Sequence, residues 1–338
     1  MTKLVVQIPC FNEAESLPAT LLAIPRQVGG VDEVEILVID DGSSDGTSDV
    51  ARRYGVHHIV RHRRNRGLAA TFQSGVNAAL AAGADIIVNT DADGQYDGSA
   101  IPDLIAPLLR GEADIVIGDR GVAKNAHFGP VKRRLQQLGS AIVQRLARTD
   151  VPDAVSGFRA ISRHAAQRLT VTAEFSYTTE MLIQAGRKRL AITSVPVPTN
   201  ETLRPSRLFR TIPQFIVNTG ITMARAYTMY NPLRVFVLAG GICAVAGLLP
   251  ILRFLYFFVT GQSAGHVQSL VLGGALLILG LMATMLGVLA DLIGSNRKLL
   301  EANLERLRAI EDRLSVLDQR EKSQSPSTQP HAPERKRA

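Results

Sequence analysis

The first two hundred residues alternate short apolar runs with stretches of helical period. Leu4–Ile8 predicts a strand, followed by a helix over Glu13–Ile24 that opens near an Asn12 cap. Glu35–Ile39 predicts a second strand, which enters the turn Asp40-Asp41-Gly42-Ser43-Ser44-Asp45-Gly46 and a helix from Thr47 to about Tyr54. His57–Val60 and Asp85–Asn89 read as further strands, with an Ala-rich helix over Leu68–Ala82 between them. A helix around Ile101–Leu109 and a fifth strand at Asp114–Ile117 complete the series. Strands alternating with helices predict an α/β fold, a mostly parallel sheet covered on both faces, with ligands at the carboxyl ends of the strands.

The pattern changes in the last third. Val235–Leu252 is apolar throughout, is interrupted by Arg253, and resumes at Phe254–Val259. Val267–Leu289 is apolar apart from Gln268, Ser269 and Thr284. A membrane span needs roughly 20 apolar residues, so both segments predict transmembrane helices, 235–259 and 267–291. Arg234 before the first and Arg297-Lys298 after the second put both ends on the cytoplasmic side, with Arg253 snorkelling near the outer interface.

Ile212–Met229 carries apolar residues at helical spacing and reads equally well as an interfacial helix on the membrane or as a core helix. After the spans, Leu300, Leu307 and Leu314 recur every seven residues, with Asn303, Ile310 and Leu317 in a second series. This pattern suggests a cytoplasmic coiled coil joining copies into a dimer or tetramer, or else a helix packed on its own domain. The expected domains are therefore 1–210, a juxtamembrane segment 211–233, the spans within 234–293, a helix over 295–320 and a disordered tail 321–338.

Charge follows the same division. The formal net charge is +8, yet residues 1–119 hold 17 acidic and 9 basic residues, while residues 120–149 hold 7 basic and no acidic ones. Residues 202–290 again hold 6 basic residues and no acid. An acidic first third is a poor nucleic-acid binder, so no nucleic-acid partner is expected. The 2 cysteines, Cys10 and Cys243, are too far apart in sequence to suggest a disulfide framework or a zinc site. The opening Met1-Thr2-Lys3-Leu4-Val5-Val6 reads as a strand rather than a signal peptide, which leaves the main domain facing the cytoplasm. Tryptophan is absent, which excludes processive polysaccharide synthases that grip their substrate with Q-x-x-R-W.

The strongest chemical signal is Asn89-Thr90-Asp91-Ala92-Asp93-Gly94-Gln95, directly after an apolar strand. Two carboxylates at i and i+2 past a strand end suit one hard divalent cation, Mg²⁺ or Mn²⁺, bridging the phosphates of a nucleoside diphosphate. The turn after the second strand adds Asp40, Asp41 and Asp45, and Asp45 or Thr47 is placed to cap the following helix. The chain has neither G-x-G-x-x-G after its first strand nor a P-loop, which disfavours dinucleotide oxidoreductases and P-loop NTPases.

Pro9-x-x-Asn12-Glu13-x-Glu15, Asp40-Asp41-Gly42-Ser43-x-Asp45-x-Thr47, Asn65-x-Gly67, Asp91-x-Asp93-x-Gln95 and Ser156-Gly157-Phe158-Arg159 occur in order. Over roughly residues 3–210 the chain thereby resembles the family 2 glycosyltransferases, in the branch of dolichol-phosphate mannosyltransferase and the bacterial polyprenyl-phosphate glycosyltransferases. The resemblance implies a GT-A fold. It also implies a donor site of Pro9, Asn12, Glu13, Glu15, Asp40, Asp41, Asn65, Gly67, Asp91, Ser156, Gly157 and Arg159. Asp91, Asp93 and Gln95 would hold the metal, and Arg120, in Gly118-Asp119-Arg120, would meet the pyrophosphate or the incoming phosphate.

Acceptor phosphate would fall to Lys132, Arg133 and Arg134, and to Arg204, Ser206 and Arg207. Both segments depart from the family pattern. Gln136 stands where a serine is usual, and Arg204-Pro205-Ser206-Arg207 replaces Gly-x-Ser-Lys.

The expected reaction is an inverting transfer of one sugar from a UDP- or GDP-sugar to a polyprenyl phosphate at a lipid bilayer. A lipid monophosphate, with a second pKa of about 6, is already mostly anionic and needs little help from a base. A lipid hydroxyl acceptor would need one, and Glu180 is the candidate, as a base or as an orienting residue. A non-catalytic membrane scaffold is the remaining alternative, disfavoured by the cost of clustering carboxylates without a cation.

Overall fold

The computed structural model describes residues 1–121, 144, 147, 149–171, 177–200, 227–228, 231–261 and 266–324. Seven strands form one sheet: β1 Lys3–Cys10, β2 Glu33–Asp40, β3 His58–Arg61, β4 Ile86–Asn89, β5 Ile115–Asp119, β6 Arg159–Ser162 and β7 Ile192–Pro196. Their order is β3-β2-β1-β4-β6-β5-β7. The pairs β3–β2, β2–β1 and β1–β4 are parallel, as is the pair β5–β7.

β6 breaks the expected pattern by running antiparallel between β4 and β5. Its four residues, Arg-Ala-Ile-Ser, are too short to show a period. Running backwards, it places Arg159 opposite Asn89, at the carboxyl end of β4.

Helices cover both faces. Val5, Leu37, Ile87, Ile117 and Ile161 pack beneath α3 (Leu68–Ala81), α5 (Arg163–Arg168) and α6 (Tyr177–Arg187). Leu4, Val6, Ile36, Val38, Val88 and Val116 face α1 (Leu17–Ala23), α2 (Thr47–Arg53) and α4 (Ile101–Leu109). Burial on two faces explains why these strands read as apolar runs rather than as alternation.

The first helix starts four residues later than its sequence predicts, at Leu17. Pro18 sits in its opening turn, where a missing N–H costs nothing. Asn12 therefore does not cap it. Its φ is 54° and its side chain serves the neighbouring loop instead.

Two long helices follow, α7 Pro232–Val259 and α8 Val267–Gln324. Windows of mean hydropathy 2.5 and 2.3 make both long and apolar enough to cross a membrane. They pack through glycine pairs. A Cβ on Gly280 would lie 2.7 Å from the Gly240 carbonyl oxygen, and one on Gly247 would lie 2.8 Å from that of Gly273. The pairs are equally spaced about the turn at Thr260, the register of an antiparallel hairpin held by close backbone approach. α8 continues unbroken to Gln324, so the second span and the helix expected over 295–320 are one element. Residues 325–338, and nearly all of the segment expected as an interfacial helix, lie outside the described residues.

Gly98, just past the Asp91–Gln95 loop, packs against α1. A Cβ there would lie 2.5 Å from the Ala23 carbonyl oxygen. Gly98→Ala is expected to lower stability by about 1–3 kcal/mol. Gly29→Ala, where a Cβ meets nothing within 4 Å, should stay within about 0.5 kcal/mol. Thermal unfolding of the two variants in detergent checks the contrast.

Candidate active site

Cys10 pairs with Asp40 across β1 and β2, so the loops leaving both strands begin side by side. They are stitched together. The Asn12 amide donates to Ser43 Oγ (2.9 Å), the Ser44 amide to Asn12 Oδ1 (2.9 Å), the Glu13 amide to Thr47 Oγ1 (3.0 Å), and the Ala14 amide to Asp45 Oδ2 (2.9 Å). Asp45 Oδ1 also accepts from the Thr47 amide at 3.0 Å, but the cap position of α2 falls to Gly46, with φ of 86°, so neither Asp45 nor Thr47 is its N-cap. Pro9 is buried in β1, one residue before its end at Cys10, while Glu15 is exposed.

Asp40 and Asp41 are buried beneath this junction, at 1% and 3% exposure. Asp40 accepts from the Ser43 amide at 2.8 Å and from the Ser48 hydroxyl, with Arg61 Nε 3.6 Å away. Burial alone would raise its pKa, but these hydrogen bonds and the Arg61 charge outweigh it and hold the carboxyl below the usual range. Asp41 Oδ1 accepts from the Arg66 amide and its Oδ2 from the Gly67 amide, both at 2.9 Å. Asn65 Oδ1 accepts from the same Gly67 amide at 3.0 Å. Both aspartates expected on the nucleoside thus spend their oxygens on holding the loops. Gly42 makes this turn, with φ of 76°, where a Cβ would sit 2.7 Å from the Arg64 carbonyl carbon.

His62 completes the cluster, and the sequence carries no sign of it. Its Nδ1 lies 2.7 Å from Asp41 Oδ1 and its Nε2 lies 3.0 Å from Ser74 Oγ on α3.

The second loop leaves β4. Asn89 is fully buried. Its Oδ1 accepts from Gln7 Nε2 (2.9 Å), and its Nδ2 donates to the Gly157 carbonyl (2.8 Å) and to Tyr177 Oη (3.0 Å). Asp91 stands just above, against Gly157, where a Cβ would come 2.9 Å from Asp91 Oδ2. Only glycine lets the 154–158 segment lie this close. Tyr96 steadies it from the other side, accepting from the Gly157 amide at 3.0 Å and stacking on Phe158. Ser156 is fully buried in the same segment. The Gln95 amide donates to Asp93 Oδ1 at 3.0 Å, tightening the turn that follows the second carboxylate.

Burial and the neighbouring Asp93 charge push the Asp91 carboxyl up to about 7, with Glu13 adding to them and Arg120 and Arg159 opposing. Among the described residues no three His, Cys, Asp or Glu side chains gather as a metal cage. A divalent cation fits this pair nonetheless. Mg²⁺-type sites use one or two carboxylates and leave the other positions to phosphate and water, and a cation would offset the burial and the like charge of Asp93 that raise the Asp91 pKa.

The arginines are more constrained than their sequence suggests. Arg120 is locked to Asp153 through Nε–Oδ2 at 2.6 Å and Nη2–Oδ1 at 3.0 Å, with Asp153 only 2% exposed. No motif in the sequence marks Asp153, which follows Asp150, the first acid past the segment 120–149. Arg159 is fully buried and donates to three carbonyls, those of Ser156 (2.7 Å), Thr178 (2.8 Å) and Ala154 (2.7 Å). Burial lowers its pKa to about 10. It supports the loop from below rather than facing a ligand.

Glu180 is buried on α6, where its Oε1 accepts from Gln184 Nε2 at 3.2 Å. Lys132, Arg133, Arg134, Arg204, Ser206 and Arg207 lie outside the described residues.

A family model, glycosyl transferase family 2, matches residues 5–170. An uncharacterized glycosyltransferase of Mycobacterium tuberculosis is 36% identical over 182 residues, 54% of this chain and 78% of that protein. The chain belongs to glycosyl transferase family 2. An undecaprenyl-phosphate mannosyltransferase of Micrococcus luteus is 28% identical over 200 residues, covering 56% of this chain and 80% of that one. Among solved structures, the Mycobacterium tuberculosis glucosyl-3-phosphoglycerate synthase, in complex with Mn²⁺, UDP-glucose and phosphoglyceric acid, superposes with a TM-score of 0.51. That match has 24% identity and covers 66% of this chain and 79% of the other. It shows the fold, GT-A-like with a mixed sheet. As a family 2 glycosyltransferase the chain uses a nucleotide sugar.

Asp153→Asn would leave Arg120 largely buried without its counter-charge. Breaking such a pair costs about 3 kcal/mol. The expected result is a clear fall in thermal midpoint together with weakened nucleotide binding, read by calorimetry on the same preparation.

Proposed function

We propose that the protein transfers one sugar from a UDP- or GDP-sugar to a polyprenyl phosphate at the cytoplasmic face of a bilayer, with inversion and with Mg²⁺ or Mn²⁺. The observation that carries this reading is the joining of a family 2 site to an apolar two-helix hairpin in one chain. The named activity of the Micrococcus luteus relative supports the acceptor, and the Mn²⁺ and UDP-glucose in the mycobacterial synthase support the donor and cation.

Asp91 and Asp93, with Gln95 beside them, would hold the cation at the end of β4. When bound, it neutralises charge on the departing nucleoside diphosphate. Asn12, Glu13 and Glu15 border the nucleoside end of the site, which Asp40, Asp41, Asn65 and Gly67 brace. Ser156 and Gly157 form the floor under the sugar, set by Arg159. Arg120, aimed by Asp153, offers its remaining N–H groups to phosphate. The basic residues at 132–134 and at 204 and 207 would guide the acceptor phosphate against repulsion from the donor. Because that phosphate arrives anionic, Glu180 serves as an orienting residue.

The hairpin fits the proposed topology. Arg234 and Arg253 lie 19 residues apart on α7, about 28 Å of helix, close to the roughly 30 Å of a hydrocarbon core. Arg253 then reaches the outer interface, where its guanidinium lies 6.0 Å over the Phe257 ring beside Tyr256 and Phe258. The domains follow as 1–210 catalytic, 211–233 juxtamembrane, 234–293 membrane, 295–320 cytoplasmic helix and 321–338 tail. Exposed Leu300, Leu307 and Ile310 supply the face on which a second copy would pack.

The test is a screen of labelled UDP- and GDP-sugars against membranes supplied with polyprenyl phosphate. Asp93→Ala is expected to abolish transfer and cation-dependent UDP binding while the chain stays in the membrane; full activity would overturn the metal assignment. Asp93→Asn should raise the thermal midpoint of the metal-free protein, since it removes the like charge beside Asp91. Glu180→Gln should cost only a few-fold in kcat. A loss in the 10²–10⁴ range typical of a missing general base would instead point to a hydroxyl acceptor.

A further inference from the structure

A cavity of about 1080 Å³ opens where the catalytic domain meets the first membrane helix. Arg187 borders it from the end of α6, Arg189 from the turn between α6 and β7, and Arg234 from the first turn of α7. Tyr227 and Asn231 line it on the α7 side, and Asp150 is the acid among the described lining residues. Arg189 has a φ of 55°, a left-handed conformation uncommon for a residue other than glycine. An arginine thus stands where a helix C-terminus commonly places glycine.

This cavity is not the donor site. Asp119 pairs with Pro196 at the carboxyl end of β5 and β7, the end at which Arg120 meets Asp153. The cavity takes the opening half of β7, from Ile192 to Ser194, and Ile192 lies roughly 13 Å from Pro196 at the strand rise.

We propose that the cavity binds the headgroup of an anionic bilayer phospholipid, with Arg187, Arg189 and Arg234 on its phosphate. The inference rests on the reading of α7 and α8 as a membrane anchor. Under that reading Arg234, at the start of the apolar stretch, stands at headgroup level. Guanidinium groups match phosphate oxygens with paired, charge-assisted hydrogen bonds. Among the described lining residues three arginines stand against Asp150, and the volume is ample for a headgroup. Tyr227 suits the same depth, with an apolar ring and a polar tip. A lipid held here would fix the catalytic domain against the membrane surface through its β7 edge, leaving the carboxyl edge of the sheet to the donor.

The experiment uses the full chain in nanodiscs of mixed phosphatidylcholine and phosphatidylglycerol, with the lipid retained after detergent extraction read by native mass spectrometry. Phosphatidylglycerol should be retained in preference to phosphatidylcholine. Arg189→Gln should reduce that preference about fivefold, and Arg189→Gln with Arg234→Gln roughly 20-fold, with cation-dependent UDP binding unchanged. Equal retention of the two lipids by the wild-type chain overturns the proposal and needs no variant. So does an unaltered preference in the double variant. Displacement of phosphatidylglycerol by polyprenyl phosphate, with a raised KM for polyprenyl phosphate in the double variant, would make the cavity the acceptor site and also overturn it. An alkaline carbonate wash separates the underlying reading: release of the wild-type chain from membranes refutes the anchor itself, whereas retention without lipid preference refutes only the headgroup site.

Discussion

Asn89 is the point from which the site is built. Its side-chain amide joins β1 through Gln7, the 154–158 segment through Gly157, and α6 through Tyr177. A buried amide that satisfies its partners in three directions leaves each of them few alternatives, because any shift strands a polar group away from water. The rigidity matters because of what stands above it. Asp91 and Asp93 repel each other, and a loop free to move would separate them. The repulsion is retained because the strand end, Gly157 and Tyr96 hold the loop. The strain at Asp91 therefore reflects an arrangement suited to a cation, set up by hydrogen bonds that touch no cation themselves.

The same division of labour runs through the other polar residues. Asp40, Asp41, His62 and Arg159 are all charged or ionisable, all buried, and all occupied with neighbouring loops. Arg120 is held by Asp153 but keeps N–H groups to spare. A nucleotide pocket made of loops needs this investment, since loops lack the ladders that hold strands. Acidic side chains are economical for it, because one carboxylate accepts several backbone amides at once, as Asp41 does from Arg66 and Gly67.

These roles explain what the sequence made legible. The parallel strands were readable because burial on both faces turns them into unbroken apolar runs, as in Ile86-Ile87-Val88. β6 was not, because an antiparallel strand of four residues inserted into a parallel sheet has no local period to betray it. The Asp91–Gln95 loop was readable from its place after β4. Whether an aspartate faces a ligand or braces a turn was not, since Asp40, Asp41 and Asp91 look alike in sequence and differ only in which donors surround them. Asp153 and His62 escaped for the same reason. Their partners, Arg120 and Asp41, lie 33 and 21 positions away, and only the fold brings each pair together.

The hairpin imposes a further constraint on how the two halves of the reaction meet. Glycine pairs equally spaced about Thr260 fix α7 and α8 in one register, which sets Arg234 opposite Leu286, within two turns of Asp291. Arg234 at one end then cannot move in depth relative to the start of α8's polar extension without breaking those contacts. Under the proposed reading, a catalytic domain joined to Pro232 through the juxtamembrane segment stays near the membrane plane, where a lipid-linked acceptor would be confined. Such confinement of both partners to one thin layer would replace a three-dimensional search with a short one, and the gain would be entropic rather than a matter of new contacts. It would also account for the separation of charge. In sequence, an acidic first third that suits a cation and a nucleotide is separate from the acid-free segments 120–149 and 202–290, which suit an anionic surface.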